Sequence, residues 1–344
     1  MKKYLKKINR INYYYFDRSK YLRLDANERT IFFSKKILNK IKNSITSSVL
    51  QSYPSTPHQL IKKISKIEQV PSKYIHVAPG ADSIIKYLFE TTDEKKKIGI
   101  IYPTYRMVEV YGKIYQKKLV KIKEKNVLSS LKKINKNFSF FYIANPNQPS
   151  GDQLREKQII KILKYLKKKR VMLILDEAYI DFSKQKSMIN LIKNFNNLMI
   201  IKTFSKSTGI AGLRFGYFIT NPILASAINS VRPIADISSF SIKVAEILIN
   251  EKKEWKKYLK QIQLSKKYVF TQCKHLKIRF KETHANFFYI YLTQSKINKL
   301  INFLKTHKIL VRKVVNGIRV SYGSSIQMKY FFDKIKIFLQ KEKI

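Results

Sequence analysis

Glycine and proline are both scarce, nine of each in 344 residues, and there is one cysteine. A lone Cys273 excludes an intramolecular disulfide framework and a thiolate metal cluster. The five histidines (His58, His76, His275, His284 and His307) are scattered without ligand spacing, so no metal site is expected. Acidic residues number 22 against 70 basic ones, leaving a formal charge of +48. No apolar run is long enough to span a bilayer. The basic start, Met1 to Lys7, leads into a stretch broken by Asn9, Arg10 and Asn12, which lacks a signal-peptide core. These absences point to a cytoplasmic protein without membrane contact.

Taken alone, the charge would suggest a nucleic-acid partner. The basic residues are 58 lysines and 12 arginines, however, and the lysines run the whole length among Ile, Asn, Tyr and Phe. Readers of nucleic acid gather basic residues on one face and favour arginine at base edges. Compositional drift explains the charge better, and no specific nucleic acid is expected. The field would still draw small anions, and salt would weaken that attraction.

A hydrophobic fraction of 44% is enough for a large core. Residues 1–45 read as a polar, tyrosine-rich arm and a lysine-rich helix. Beyond them, helical stretches at 58–68, 82–91 and 154–169 alternate with β-rich runs at 98–102, 138–144, 171–175, 198–203 and 215–219. That alternation predicts an α/β domain with a mostly parallel sheet. Residues 241–275 read as one or two long helices. A strand (286–292), a helix (296–306), two strands (309–315 and 318–322) and a last helix (326–339) then form an α+β layer. The expected division is an arm contributing to the small domain (1–45), a large domain (46–240) and a smaller C-terminal one (241–344).

Scarcity makes the remaining glycines informative. Gly80, Gly151, Gly209, Gly212, Gly216 and Gly323 fall inside the segments that chemistry alone would select. The apolar run Val171 to Leu175 ends in Asp176. The run Leu198 to Ile201 leads into Thr203-Phe204-Ser205-Lys206-Ser207-Thr208-Gly209-Ile210-Ala211-Gly212-Leu213-Arg214. One carboxylate at a strand end, then a small-residue turn with a lysine, a serine and an arginine, is the set that a pyridoxal phosphate site needs. Lys206 would bond to the aldehyde, Asp176 would keep the pyridine nitrogen protonated, and Ser205 and Arg214 could hold the phosphate. Each also has a plainer reading: a surface lysine, or a helix-capping or salt-bridged aspartate. Glu177 should point away from Asp176, since side chains alternate there.

Gly80-Ala81-Asp82-Ser83 opens a helix whose free N–H groups can cradle phosphate, although Asp82 or Ser83 could simply cap it. Tyr105, after Tyr102-Pro103-Thr104, offers a flat face for a ring and reads equally as a core residue. Tyr179 lies three positions beyond Asp176 and could donate to a phenolic oxygen. The turn Asn145 to Gly151 can hold an amide against the ring. Arg312 and Arg319 stand out in a chain that favours lysine, and their planar guanidinium groups suit a carboxylate or phosphate.

Together these segments resemble the class I/II aminotransferases of the fold-type I pyridoxal phosphate enzymes, and within them the histidinol-phosphate aminotransferase subfamily. The stretches that carry the resemblance are Leu24 to Glu28, Ser52-Tyr53-Pro54, Gly80 to Asp82, Pro103 to Tyr105, Asn145 to Gly151, Leu175 to Phe182, Thr203 to Gly216, His284 to Phe287 and Ile318 to Gly323. The resemblance implies a homodimer using pyridoxal 5′-phosphate to move an amino group between histidinol phosphate and 2-oxoglutarate, in histidine synthesis. It implies Lys206 as the catalytic amine, Asp176 at the ring nitrogen, Tyr179 at the phenolic oxygen and Tyr105 stacked on the ring. Ala81, Asp82, Ser205 and Arg214 would hold the phosphate, with Tyr53 reaching in from the partner. Asn147, or Gln148 at the family's amide position, would place the ring amide, and Asn27, Arg312 and Arg319 would face the anionic substrate. The family pattern is broken where Arg29-Thr30 replaces a proline after Asn27-Glu28, where Gln148 replaces an asparagine before Pro149, and in the arm's composition. The alternatives are a relative acting on another phosphorylated or anionic amine, such as a threonine-phosphate decarboxylase-like enzyme, and, more remotely, a nucleic-acid-binding protein on an inactive scaffold.

Overall fold

A computed structural model describes residues 3–9, 16–134 and 138–342. Its strands are β1 (Leu22–Arg23), β2 (Ile75–Ala78), β3 (Lys97–Tyr102), β4 (Leu119–Lys123), β5 (Phe138–Ala144), β6 (Met172–Asp176), β7 (Leu198–Thr203), β8 (Gly216–Ile219), β9 (Phe280–Lys281), β10 (Phe287–Tyr291), β11 (Ile309–Leu310), β12 (Arg312–Val314) and β13 (Gly317–Ser321). Seven of them form one sheet in the order β2-β8-β7-β6-β5-β3-β4, parallel except for β8, which runs against both of its neighbours. The chain is α/β, as the alternating pattern predicts.

Both faces of this sheet are covered, and the period of two along each strand decides which residues go where. Leu173, Leu175 and Ile200 belong to one buried core, while Ile174, Met199 and Ile201 belong to the core on the other face. Asp176 therefore emerges on the face of Ile174, and Glu177 on the opposite one.

The strand register explains why the chemistry collects at one edge. Ala144 is paired with Asp176, Asp176 with Ile201, Thr203 with Gly216, and Gly216 with Ala78. The carboxyl ends of β2, β5, β6 and β7 thus lie side by side, and the reversed β8 brings its first residue to the same edge. In open α/β sheets, ligands bind in the crevice beyond that edge.

A second sheet, β12-β13-β10-β9, is antiparallel, and β1 pairs with β11 in parallel, so the N-terminal segment joins the C-terminal layer. Its core includes Leu24, Tyr258, Val269, Phe288, Val320 and Phe331. From the packing we propose domain boundaries that differ from 45 and 240. Ile37, Val244, Ala245 and Leu248 pack in the large core, whereas Tyr258 and Ile262 pack in the small one. The break falls at Glu251, the non-helical residue (φ −97°, ψ 52°) between helices Ser239–Asn250 and Lys252–His275.

Two strands of the large sheet escape the sequence pattern, as do the two-residue strands β1 and β9. β2 has only four residues, and β4 is an edge strand whose lysines interrupt its apolar residues. The stretch 309–315 is not one strand but two, because β11 pairs with β1 and β12 with β13. Within the tyrosine-rich arm, residues 1–2 and 10–15 lie outside the described residues.

Candidate active site

Ala81, Asp82, Tyr105, Asp176, Tyr179, Ser205, Lys206 and Arg214 line one cavity of about 630 Å³ at the carboxyl edge of the sheet. Eight residues chosen from widely separated segments therefore meet in one place.

Asp176 forms the floor. Its Oδ2 accepts the Tyr142 hydroxyl at 2.6 Å and its Oδ1 accepts the Ala178 amide at 3.0 Å. Burial pushes its carboxyl above the usual carboxylate range, while the Tyr142 and Ala178 hydrogen bonds and the Lys206 charge oppose that rise. Both direct partners are neutral donors, so the carboxylate has no cation in hydrogen-bond contact. Tyr142 sits beside Asp176 on the neighbouring strand and reads from sequence as another apolar strand residue. Only the register reveals it.

Lys206 extends from the turn after β7. Its Nζ lies 3.2 Å from the Asn27 carbonyl and 3.4 Å from the Ala26 carbonyl, and 5.4 Å from the centre of the Tyr179 ring. The Tyr179 hydroxyl accepts from Asn27 Nδ2 at 3.0 Å. Asn27 is held in turn: its backbone is left-handed (φ 56°), its N–H donates to Ser321 Oγ, and its carbonyl accepts Asn286 Nδ2. Asn27 thus stands behind Tyr179 and orients both phenol and lysine. Ser321 and Asn286 lie in stretches that carry the resemblance, but their role as supports of Asn27 follows only from these contacts.

The opposite wall is an anion cradle. Gly80 begins helix Gly80–Glu90 at φ +80°, and a Cβ there would come within 2.9 Å of Arg214 Nη2. A Cβ on Gly216 would meet the Lys202 carbonyl at 2.8 Å and Gly80 Cα at 3.0 Å. Only glycines allow this approach. Arg214, itself left-handed (φ 50°), donates to Ser205 Oγ at 3.3 Å. The Asp82 carboxylate accepts from Tyr105 and Tyr111 at 3.3 and 2.8 Å, so what Asp82 offers an anion is its helix-start N–H.

Four further expected residues, Asn147, Tyr53, Arg312 and Arg319, lie outside this lining. Gln148 lines the cavity, whereas Asn147 is buried behind the wall with Nδ2 donating to the Pro103 carbonyl at 2.9 Å. Its Nδ2 thus joins two loops, while its buried Oδ1 has no hydrogen-bond partner among the described residues. Tyr53 is 92% exposed and borders a separate surface groove. Arg319 and Arg312 face each other across β12 and β13, outside the cavity lining. Arg319 is buried, donates Nη2 to the Asp25 carbonyl at 2.9 Å, and leaves Nε without a partner. Burial pushes its guanidinium below the ordinary arginine range, and Tyr179 is among the groups that counter this.

Arg29, which breaks the family pattern, is buried between Phe33 and Tyr258 (4.0 and 4.7 Å from their ring centres) and pairs with Glu254 at 2.7 Å. Its side chain lies directly on Gly209 of the lysine turn.

Glu177 emerges, as alternation requires, on the far side. It accepts the Met188 amide at 2.8 Å and the Ser187 hydroxyl. Burial raises its carboxyl from 4.5 to about 7, with Lys202 opposing. The folded protein keeps this proton where the unfolded chain has released it. The associated stability is complete below 4.5 and is lost as pH rises through 7, by about 3 kcal/mol at most. Urea unfolding at pH 5 and pH 8 is expected to show Glu177→Gln flattening that decline. An unchanged slope would contradict the buried, proton-retaining state.

The family model described as aminotransferase class I and II matches residues 12–335. A histidinol-phosphate aminotransferase of Clostridium novyi is 31% identical over 318 residues, covering 89% of this chain and 88% of that one. The crystal structure of a histidinol-phosphate aminotransferase from Clostridium acetobutylicum superposes with a TM-score of 0.81 at 25% identity, covering 92% and 98% of the two chains. One from Sinorhizobium meliloti, in complex with pyridoxal-5′-phosphate, superposes at 0.83 with 18% identity over 93% and 91%.

Proposed function

The chain belongs to the class I and II aminotransferases, enzymes that use pyridoxal 5′-phosphate, and from that premise we propose that it is a histidinol-phosphate aminotransferase working with glutamate and 2-oxoglutarate. The observation that carries this reading is Arg319, buried with its Nε unpartnered and facing Arg312 across the sheet. A buried guanidinium with an open N–H beside a second guanidinium on the next strand suits a phosphate or carboxylate.

The residues of the cavity fit the cofactor. Asp176 is a buried carboxylate without a cation in hydrogen-bond contact, as a pyridinium nitrogen requires. Ser205, Arg214 and the N–H groups of Ala81 and Asp82 would hold the phosphate where the two glycines leave room. Tyr105 and Ala178 would flank the ring, and Tyr179 would donate to its oxygen. When bound, pyridoxal phosphate supplies an aldehyde and a ring that withdraws electrons from the substrate carbon.

The chain's own residues then divide the work. Asp176 keeps negative charge at the floor, and Asn27 fixes the direction of the Tyr179 hydroxyl. Lys206 Nζ, freed from the two carbonyls that hold it, takes a proton from the substrate carbon and returns one on the other side of the transfer. Arg319, with Arg312, orients the anion so that the right bond is broken.

Among the described residues no helix is long and apolar enough to cross a membrane. We assign the protein to the cytoplasm as a homodimer. Support for the dimer comes from Tyr53 and its exposed neighbour Leu50, apolar surface that a second copy would cover. Light scattering should give twice the chain mass.

The test is the absorption spectrum of the purified protein, before and after L-histidinol phosphate. A visible band that bleaches supports cofactor and substrate together. A band that stays put under histidinol phosphate but responds to another phosphorylated amine contradicts the substrate. Release of carbon dioxide from phosphothreonine would move the assignment to decarboxylation. Arg319→Met is expected to raise the KM for both anionic substrates about 30-fold or more while cofactor affinity is unchanged. An equal loss of cofactor would place Arg319 in a different role.

A further inference from the structure

The turn that carries Lys206 has two sides. Ser205 and Lys206 face the cavity described above, while Ser207 and Thr208 face a second cavity of about 650 Å³, also bordered by Asp181, Lys202 and Trp255. A cleft that opens to solvent lies behind that part of the turn. On the cavity side Lys206 reaches the Ala26 and Asn27 carbonyls and Arg29 packs on Gly209, and the remaining hydrogen bonds of the turn are local. Phe204 N–H donates to the Phe215 carbonyl, Ile210 N–H to the Phe204 carbonyl, and Ser205 N–H to Thr203 Oγ1.

One side-chain bond crosses from the turn to another segment on this far side: the Ser207 hydroxyl donates to Asp181 Oδ2. Ser207 is 2% exposed. Asp181 lies in the single helical turn Ile180–Phe182, two residues after Tyr179 and five after Asp176. The bond therefore joins the segment that presents the carboxylate and phenol to the segment that presents the lysine. Among the described residues no other side-chain hydrogen bond of Ser207 spans the same gap, and the cleft leaves the turn room to retreat if the bond is lost.

We propose that Asp181 is a positioning residue which sets the placement of Lys206 against Tyr179 through its hydrogen bond to Ser207. The inference rests on the reading of Lys206 as the reacting amine. Asp181 touches neither substrate nor cofactor. It acts by stopping the lysine turn from sinking into the space behind it, and a displacement of about 1 Å at a reacting group can cost up to ~100-fold in rate.

The experiment compares the holoenzyme with Ser207→Ala, Ser207→Thr, Asp181→Ala, Asp181→Asn and the double alanine variant. Ser207→Ala and Asp181→Ala are each expected to lower kcat about tenfold or more while KM for glutamate stays within about twofold. Both should displace the pH midpoint of the visible absorption band. Trp255, the one tryptophan in the chain, borders the second cavity, so its emission should shift in the same two variants. Ser207→Thr keeps the donor and Asp181→Asn keeps an acceptor, and both should restore midpoint and kcat. The double variant should be no worse than either single one. A midpoint and kcat unchanged in Ser207→Ala, or single effects that simply add, would overturn the proposal. Thermal destabilisation with the midpoint unmoved would do so too, since it marks a purely structural bond. Loss of the visible band in Lys206→Ala is read independently, which separates failure of the lysine assignment from failure of the clamp.

Discussion

Lys206→Ala is expected to abolish turnover, by roughly a thousandfold or more, with the fold intact. Among the described residues the side chain hydrogen-bonds to the Ala26 and Asn27 carbonyls, which water can satisfy once it is gone, so stability should change little. Circular dichroism and the melting temperature check the fold, and single-turnover kinetics with the visible spectrum check the chemistry. Lys206→Arg separates charge from nucleophilicity. It keeps a cation near the two carbonyls yet has no amine to bond to an aldehyde, so it should be as inactive as alanine. Activity retained in either variant would remove Lys206 from the mechanism.

Asp176→Asn should give effects of opposite sign on activity and on the stability of the protein freed of cofactor. The carboxylate is buried, its pKa is driven up chiefly by burial, and its two direct partners are neutral. An amide of the same shape removes the desolvation penalty and can still accept from Tyr142 or Ala178, so the cofactor-free protein should unfold no earlier than wild type. Activity is expected to fall about 100-fold or more, because an amide cannot balance a protonated ring nitrogen. Urea unfolding and steady-state rates on the same preparation test the pair. Parallel losses in both would mean that Asp176 is a structural residue.

Much of this site could be read in one dimension because its pieces are strand ends. Asp176 closes an apolar run, Lys206 follows another, and Gly80 opens a helix. Period-two alternation also placed Glu177 opposite Asp176 correctly. What stayed hidden depends on pairing between distant segments. Tyr142 is an ordinary strand residue until β5 and β6 come into register. Asn27 takes its meaning from Tyr179, Ser321 and Asn286, which lie far away in the chain. The turn from Asn145 to Gly151 announces an amide, but which of two neighbouring amides faces the cavity is settled by whether the Pro103 carbonyl captures one of them. Arg29 looked like a loss of the family proline. Packed on Gly209 and paired with Glu254, it instead links the lysine turn to the helix Lys252–His275.

The reversed strand β8 has a consequence for how this chain can vary. Because Thr203 and Gly216 are paired neighbours, the residues between them form a loop whose two ends are hydrogen-bonded together. Lys206 and Arg214 lie on that one loop, so their separation depends on its contour length and not on the packing of helices elsewhere. Substitutions can accumulate on the outer surfaces, as the abundance of lysine attests, without altering that spacing. Insertion or removal of a single residue between 204 and 215 would displace lysine and arginine relative to each other at once. Length, more than composition, is the quantity this part of the chain has to conserve.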